Sequence, residues 1–207
     1  MRCFARWWED DGKYYRDQTI LQFGESWKPL ANFILLNPGS ATPLDKTPQN
    51  GYLAARQLPY FLDEGVYYRF SVDRLMRDLL KLYAQKFDGG VIRIYNLFNL
   101  KNQHSGSAIE EYRRFASARH MHTKPREIWY ADAPVIVAVG DHLHADPGLE
   151  EELKKYIALA DPSRLYSLSK VGEREFAIKR ARPDDSGLIE SYHPSYTFKY
   201  GNRTRFE

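Results

Sequence analysis

The amino-acid sequence predicts an α/β protein with three layers, in which helices cover both faces of a mostly parallel, four-stranded central sheet. Three observations lead to this prediction. Four short apolar runs are spaced along the chain, helical periodicity fills the intervals between them, and two of the runs are apolar almost throughout. A continuous apolar run is typical of a strand covered on both faces. Strands that alternate with helices imply parallel pairing through right-handed crossovers.

The predicted strands share a composition rich in β-branched and other apolar residues. They occupy residues 31–36 (ANFILL), 91–94 (VIRI), 134–139 (PVIVAV) and 188–192 (LIESY). The first and third are the nearly continuous apolar runs. Gly140 ends the third run, which indicates a turn at that point.

The first predicted helix covers residues 72–87 (VDRLMRDLLKLYAQKF) and follows Ser71, a residue type suited to capping. Its residues Leu75, Leu79 and Leu82 fall on one face, as in a helix that packs on a sheet.

A second predicted helix begins at Pro147 and continues through residues 149–160 (LEEELKKYIALA), where early acids and later lysines complement the helix dipole. Residues 165–168 and 176–178 are further apolar runs that could form a strand pair near the end of the chain.

A chain of 207 residues without a Gly/Ser linker is predicted to form one domain, residues 1–207. Within it, residues 1–30 are expected to be an N-terminal extension packed on a core at 31–200.

The composition excludes several classes of protein. Hydrophobic residues make up 43% and charged residues 28%, which is ordinary for a globular protein. The single cysteine, Cys3, excludes a disulfide framework within the chain and any four-cysteine metal site. No run approaches the ~20 apolar residues of a membrane span, so we expect a cytoplasmic protein with no membrane partner. We also expect a monomer. The formal charge of +3 is compatible with a nucleic-acid partner without requiring one.

Polar side chains follow three of the predicted strands, at the point where each strand ends. The first ends in NPGS, the second runs into YNLF, and the fourth runs into HPS. In open α/β sheets, ligands bind outside the carboxyl ends of the strands. The amides of Asn37 and Asn96 and the imidazole of His193 are therefore predicted to form a small polar pocket.

These motifs, in this order, resemble those of the uracil-DNA glycosylase superfamily. An Asn in the first motif and a His in the last are most similar to the single-strand-selective and thymine-DNA glycosylase branches. The segments LLNPGS and YNLFNLK also resemble a bacterial family marked by LNPSTA and NLFALR-like motifs. The resemblance covers residues 31–199.

The resemblance implies a monofunctional DNA glycosylase, which hydrolyses the N-glycosidic bond of uracil or a modified pyrimidine in repair or in defence against phage. As catalytic residues, Asn37 would position the attacking water and His193 would donate a hydrogen bond to the departing base. Asn96 would read the base edge, with Gly39 and Phe98 beside it. No metal or organic cofactor is expected.

The resemblance also implies residues that contact DNA. Ser40 and Ser195 are candidates for phosphate contacts. Tyr196 or Phe198 would act as the wedge that fills the gap left by a flipped nucleotide. Lys199, Arg203 and Arg205 would lie near the phosphates.

Several alternatives stay open. The NPG segment could be only a turn, His193 a packed core residue, and Tyr196 and Phe198 part of an edge strand. The same fold could also hold nucleic acid or a nucleotide without catalysis. A metal-dependent hydrolase using His142, His144 and Asp146 is a further alternative, although Pro147 stands where the corresponding motif has another histidine.

Overall fold

A computed structural model describes residues 1–102, 105–197 and 203–207. The strands are β1 Arg2–Asp10, β2 Lys13–Phe23, β3 Pro29–Leu35, β4 Val66–Phe70, β5 Gly90–Asn96, β6 Val135–Val137, β7 Leu165–Lys170, β8 Glu175–Arg180 and β9 Arg203–Phe206. The α-helices are α1 Asn50–Ala54, α2 Arg74–Ala84, α3 Ser105–Phe115, α4 Pro147–Ala158 and α5 Pro194–Thr197. Short 3₁₀ turns lie at Pro125–Glu127, Asp141–Ala145 and Pro162–Arg164.

The described strands form one mixed sheet of nine strands, in the order β4-β1-β2-β5-β3-β6-β7-β8-β9. The prediction of a four-stranded, mostly parallel sheet of the uracil-DNA glycosylase type was therefore wrong. The central strands β5, β3, β6 and β7 pair in parallel with their neighbours, and β9 pairs in parallel with β8 at the edge. β4, β1 and β2 add antiparallel strands on one side, and β8 pairs antiparallel with β7 on the other.

The N-terminal segment is the main source of this difference. Residues 1–30, expected to be an extension packed on the core, supply β1, β2 and the start of β3, and β2 pairs with β5 from Thr19↔Ile94 to Phe23↔Gly90. Polar residues such as Arg6 and Asp17 interrupt the apolar pattern of β1 and β2, yet both are buried. Because they are paired with each other through a salt bridge, the sequence pattern alone does not show that these strands are interior.

Residues 188–192 were predicted to be the fourth parallel strand, but the structure contains no strand there, and β7 takes that place. Their backbone crosses the strand ends instead. The Tyr192 N–H donates to the Leu168 carbonyl oxygen at 2.7 Å. The Ser191 hydroxyl accepts from the Val139 N–H at 3.0 Å. The apolar residues Leu188 and Ile189 are buried by this crossing rather than by a ladder.

The two predicted helices are present as α2 and α4. α2 is capped by Asp73 rather than by Ser71, because the Asp73 carboxylate accepts from the Met76 N–H at 2.8 Å. The start of α4 at Pro147 is confirmed, as is the strand pair near the end of the chain. β7 and β8 form this pair, and they are antiparallel.

Helices cover both faces of the sheet. α2 packs on the face that carries Phe33 and Ile94, whereas α3 and α4 pack on the face that carries Ile34 and Tyr95. This alternation of neighbouring residues follows from the period of two along a strand. Of the helices in the described ranges, none has the length and apolar character needed to cross a bilayer.

Candidate functional site

The carboxyl ends of the four central parallel strands lie at one edge of the sheet. β5, β3, β6 and β7 are neighbours in that order, and they end at Asn96, Leu35, Val137 and Lys170. Three of the sequence-predicted motifs follow or cross these ends. The topology therefore brings the predicted residues to one edge, and their individual environments decide what each of them can do.

The NPG segment follows β3 and begins a loop, which we call the Asn37 loop. A side-chain hydrogen bond and a turn at Gly39 hold this loop in place. The half-buried Asn37 donates from Nδ2 to the carbonyl oxygen of Asn102 at 3.0 Å, which ties the ends of β3 and β5 together. Gly39 has φ +68°, and a side chain added there would meet nothing within 4 Å. Glycine is thus required by the backbone conformation rather than by crowding. The exposed Ser40 follows it at the surface.

Arg16 lies beneath this loop and was not identified from the sequence. Its guanidinium donates to the carbonyl oxygens of Pro38 and Ala41, and its backbone N–H donates to the Asn99 carbonyl oxygen at 2.9 Å. Nε has no hydrogen-bond partner in the described part of the chain. Burial lowers the pKa of Arg16, because it removes the charged guanidinium from water. No sequence signal marks Arg16, because its burial depends on the Pro38 and Ala41 carbonyl oxygens, which are distant in the sequence.

Asn96 has an unusual environment for a buried amide. It is 1% exposed, and neither Nδ2 nor Oδ1 has a hydrogen-bond partner among the described residues. Its register partner is Leu35, two residues before Asn37. Its backbone oxygen is satisfied by the Tyr156 hydroxyl at 2.9 Å. A buried amide without partners costs about 1–3 kcal/mol, so a ligand that paired with it would recover that free energy.

Phe98, also predicted to contact the base, lies in a different environment. It is fully buried and packs on Tyr112 of α3, with ring centroids 5.1 Å apart. In this position its ring stabilises the core between the sheet and α3.

His193 lines a cavity of about 530 Å³ at the ends of β6 and β7, together with Gly140, Lys170, Glu190 and Tyr196. A side chain at Gly140 would come within 2.9 Å of the His193 Cβ, so glycine permits this close approach.

The ring of His193 is oriented by its own turn. Its Nδ1 lies 2.9 Å from the Ser195 hydroxyl and accepts the Ser195 N–H at 3.2 Å. Since the Ser195 N–H is directed at the imidazole, Ser195 orients His193 in this conformation.

The predicted DNA contacts are distributed along this edge. Tyr196 is 51% exposed and lies at the rim of the His193 cavity, beside Tyr192, which is 43% exposed. Arg203 opens β9 and lines a separate cavity against α2. Arg205 lies in the same strand. Phe198 and Lys199 lie outside the described residues.

The structure brings some of the predicted residues together and separates others. His193, Ser195 and Tyr196 are adjacent, and Asn37, Gly39 and Asn96 lie at the ends of two adjacent strands. The lining of the His193 cavity does not include Asn37 or Asn96. The two groups share one edge of the sheet, with β6 between β3 and β7.

Two residues of the metal alternative, His144 and Asp146, are engaged in structural contacts. Asp146 caps α4 by accepting the Gly148 N–H at 2.9 Å, and it also pairs with Arg113. His144 bonds to two glutamates, at 2.8 and 2.9 Å. Within the ranges that the structure describes, no group of three or more His, Cys, Asp and Glu side chains is arranged to hold a metal ion.

No family model, curated protein or solved structure matches this chain. The function therefore has to be argued from the site itself.

Proposed function

We propose that this protein is a DNA glycosylase-like hydrolase that releases uracil or a modified pyrimidine from DNA, acting as a cytoplasmic monomer in repair or in defence against phage. The observation that supports this most is the buried amide of Asn96 at the carboxyl end of β5, which has no hydrogen-bond partner among the described residues. One amide offers a donor and an acceptor, which matches adjacent groups on the edge of a pyrimidine. The motif resemblance to the uracil-DNA glycosylase superfamily agrees with this choice of ligand.

In the proposed reaction, water adds to the anomeric carbon of the sugar while the glycosidic bond breaks. The bonding electrons leave with the base, which takes up a proton, so the products are an abasic site and a free base. Asn37 orients the water through its side-chain oxygen, since its Nδ2 is committed to Asn102. His193 donates from its ring to the base oxygen on which negative charge develops. Arg16, under the loop that carries Asn37, adds positive potential on the same side.

This function predicts base release that depends on Asn37 and His193. Oligonucleotides that each carry one modified pyrimidine are incubated with the protein and then treated with alkali, which cleaves the strand at abasic sites. We expect cleavage at one type of modified position and a loss of about 10²–10³-fold in rate for Asn37→Ala and for His193→Ala. His142→Ala serves as the matched control, because it removes a neighbouring imidazole outside the proposed chemistry, and it should leave the rate unchanged.

The absence of abasic sites with every base tested, modified phage DNA included, would contradict the enzymatic proposal. In that case a non-catalytic nucleic-acid-binding module is the second candidate. It is favoured by one observation: Asn37 and Asn96 do not line the cavity that contains His193. Oligonucleotide binding without turnover, weakened by substitution of Asn96, would support that candidate.

A further inference from the structure

A second concave surface lies on the opposite side of the Asn37 loop from the His193 cavity. We name it the Trp7 groove. It has a volume of about 630 Å³ and is formed by Trp7 and Tyr14 of the β1–β2 hairpin, Tyr68 of β4, residues 42–46 and Lys101. This volume lies in the range of sites that bind small organic ligands, which is about 300–1,000 Å³.

Aromatic rings form one wall of the groove. Trp7 and Tyr14 are stacked, with centroids 5.2 Å apart and planes inclined by 23°. Phe70 supports Trp7 from within the core, at 5.6 Å. Tyr14 nevertheless remains 41% exposed. A rigid, partly open ring pair of this kind is the arrangement on which unpaired nucleobases stack.

The rest of the apolar wall is open as well. Leu44 is 57% exposed and Val66 is 36% exposed, and both line the groove. Contiguous exposed apolar surface of this kind marks a binding site more often than isolated apolar residues do.

The charges in the groove distinguish between classes of occupant. Lys46 and Lys101 line it, and neither forms a salt bridge within the described part of the chain. Two carboxylates also line it. Asp45 accepts the Thr47 N–H at 2.8 Å, so its carboxylate keeps its charge and is held in its own turn. Glu9 is exposed at the rim. Ring faces combined with two ammonium groups fit an occupant that carries both a heterocycle and phosphates.

The groove is connected to the proposed site through the backbone. The Lys101 N–H donates to the Tyr14 carbonyl oxygen at 2.8 Å, and the next residue, Asn102, accepts from Asn37. In the sheet order, β2 and β3 are both neighbours of β5, so they are separated by about 10 Å. The Trp7 groove, the Asn37 loop and the His193 cavity thus follow one another along the same edge.

We propose that the Trp7 groove binds an unpaired nucleotide of single-stranded DNA next to the nucleotide held at Asn37 and Asn96. Its base stacks on the Trp7–Tyr14 pair, and its phosphates contact Lys46 and Lys101. This inference rests on the proposed function, because it takes the occupant of the neighbouring site to be DNA. It adds that the substrate is single-stranded on this side of the reacting nucleotide.

The test uses a labelled, unmodified oligothymidylate, so that binding is measured without a reaction, and follows fluorescence anisotropy. We expect Tyr14→Ala to raise Kd by about 5- to 100-fold, the effect of losing one base–aromatic stack. Phe87→Ala is the matched control, because Phe87 is also 41% exposed and stacked on a second ring, Tyr83, but lies outside the groove. It should leave Kd unchanged.

Two further measurements separate a binding role from a structural one. Lys101→Gln should make the slope of log K against log salt shallower by about 0.7, as expected for one lost phosphate contact on a single strand, whereas Lys28→Gln, at an exposed position outside the groove, should not. Quenching of tryptophan fluorescence by the oligonucleotide should be largely lost in Trp7→Phe, which keeps a ring for stacking.

Three outcomes would overturn the proposal: equal affinities for the wild type and Tyr14→Ala, tighter binding of duplex than of single-stranded DNA, or no binding by the folded wild type. These results are independent of base release. If abasic sites form but Tyr14→Ala binds the oligonucleotide as tightly as the wild type, only the proposal for the Trp7 groove would be contradicted. If binding depends on the Trp7 groove but no base is released, only the proposal of an enzymatic function would be contradicted.

Discussion

At the scale of single residues, the buried amide of Asn96 lowers the stability of the folded protein. Its register partner Leu35 and the following residue, Leu97, are buried and apolar. An amide with no partner in that position weakens the folded state, because its hydrogen bonds to water are lost on folding and none in the described part of the chain replaces them. Selection for stability alone would favour an apolar side chain there.

Replacing Asn96 by an apolar residue is therefore expected to increase stability and to abolish activity. Asn96→Leu, which is close in volume, should raise the free energy of unfolding by about 1 kcal/mol in urea or guanidinium denaturation, while abolishing action on the modified base. Asn99→Leu is the matched control. Asn99 is equally buried but donates to the His120 carbonyl oxygen at 3.2 Å, so its replacement should destabilise the protein. Equal destabilisation by both variants would show that the Asn96 amide is bonded.

At the scale of elements, the segment that carries His193 is held by a side-chain clamp rather than by a strand ladder. His144, in the 3₁₀ turn after β6, bonds to Glu150 in the first turn of α4 and to Glu190 before His193. Both carboxylates raise the pKa of His144 above its ordinary value of 6.5, Glu150 having the larger effect. The clamp is therefore strongest when the imidazole is charged.

The clamp makes a prediction about pH. Because the pKa of His144 is higher in the folded state than in the unfolded state, its contribution to stability is complete below about pH 6.5 and is lost as the pH rises through the raised pKa. The difference in free energy of unfolding between the wild type and His144→Gln should therefore be largest in mild acid and decrease as the pH rises through the raised pKa. A pH-independent difference for His144→Gln would contradict the clamp.

The strand β2 illustrates why some elements were not predicted. The pairing of β1 with β2 shifts register between Phe4 and Arg6, and Gln18 lies opposite this shift with φ +49°. Such a bulge changes the face to which the following side chains point, so a period-two pattern is broken within the strand. The same bulge accompanies the buried pair of Arg6 with Asp17, whose polar side chains already hide the strand from an apolar pattern.

At the scale of the whole molecule, the continuity of the sheet joins the N-terminal strands to the rest of the protein. β2 pairs directly with β5, so the antiparallel and parallel parts share one set of hydrogen bonds. Cys3 of β1 is fully buried in the core that also contains Phe33 and Ile94. Burial raises the pKa of this thiol to about 12, so it is protected both by exclusion of reagents and by its protonation.

The thiol therefore serves as a probe of cooperative unfolding. We expect a thiol-reactive dye to label Cys3 only in denaturant, with a midpoint that coincides with the midpoint of tryptophan fluorescence, because β1 cannot open without breaking the shared sheet. Labelling at a clearly lower denaturant concentration would show that residues 1–30 unfold as a separate unit. Cys3→Ser provides the control for labelling.

The sequence by itself determined the local features of this protein. The apolar runs marked the strands β3, β5 and β6, the charge pattern and Pro147 marked α4, and the amides of Asn37 and Asn96 were identified as polar residues at strand ends. These are properties of consecutive residues, which period and composition report directly. The tertiary structure decided what depends on residues far apart in the chain. It joined nine strands into one sheet, in which β7 occupies the position predicted for residues 188–192. It also placed Arg16 beneath the loop that carries Asn37 and formed the Trp7 groove. The physical reason is that burial of a polar residue such as Arg6 or Arg16 depends on its distant partners, and these partners leave no periodic trace around it in the sequence.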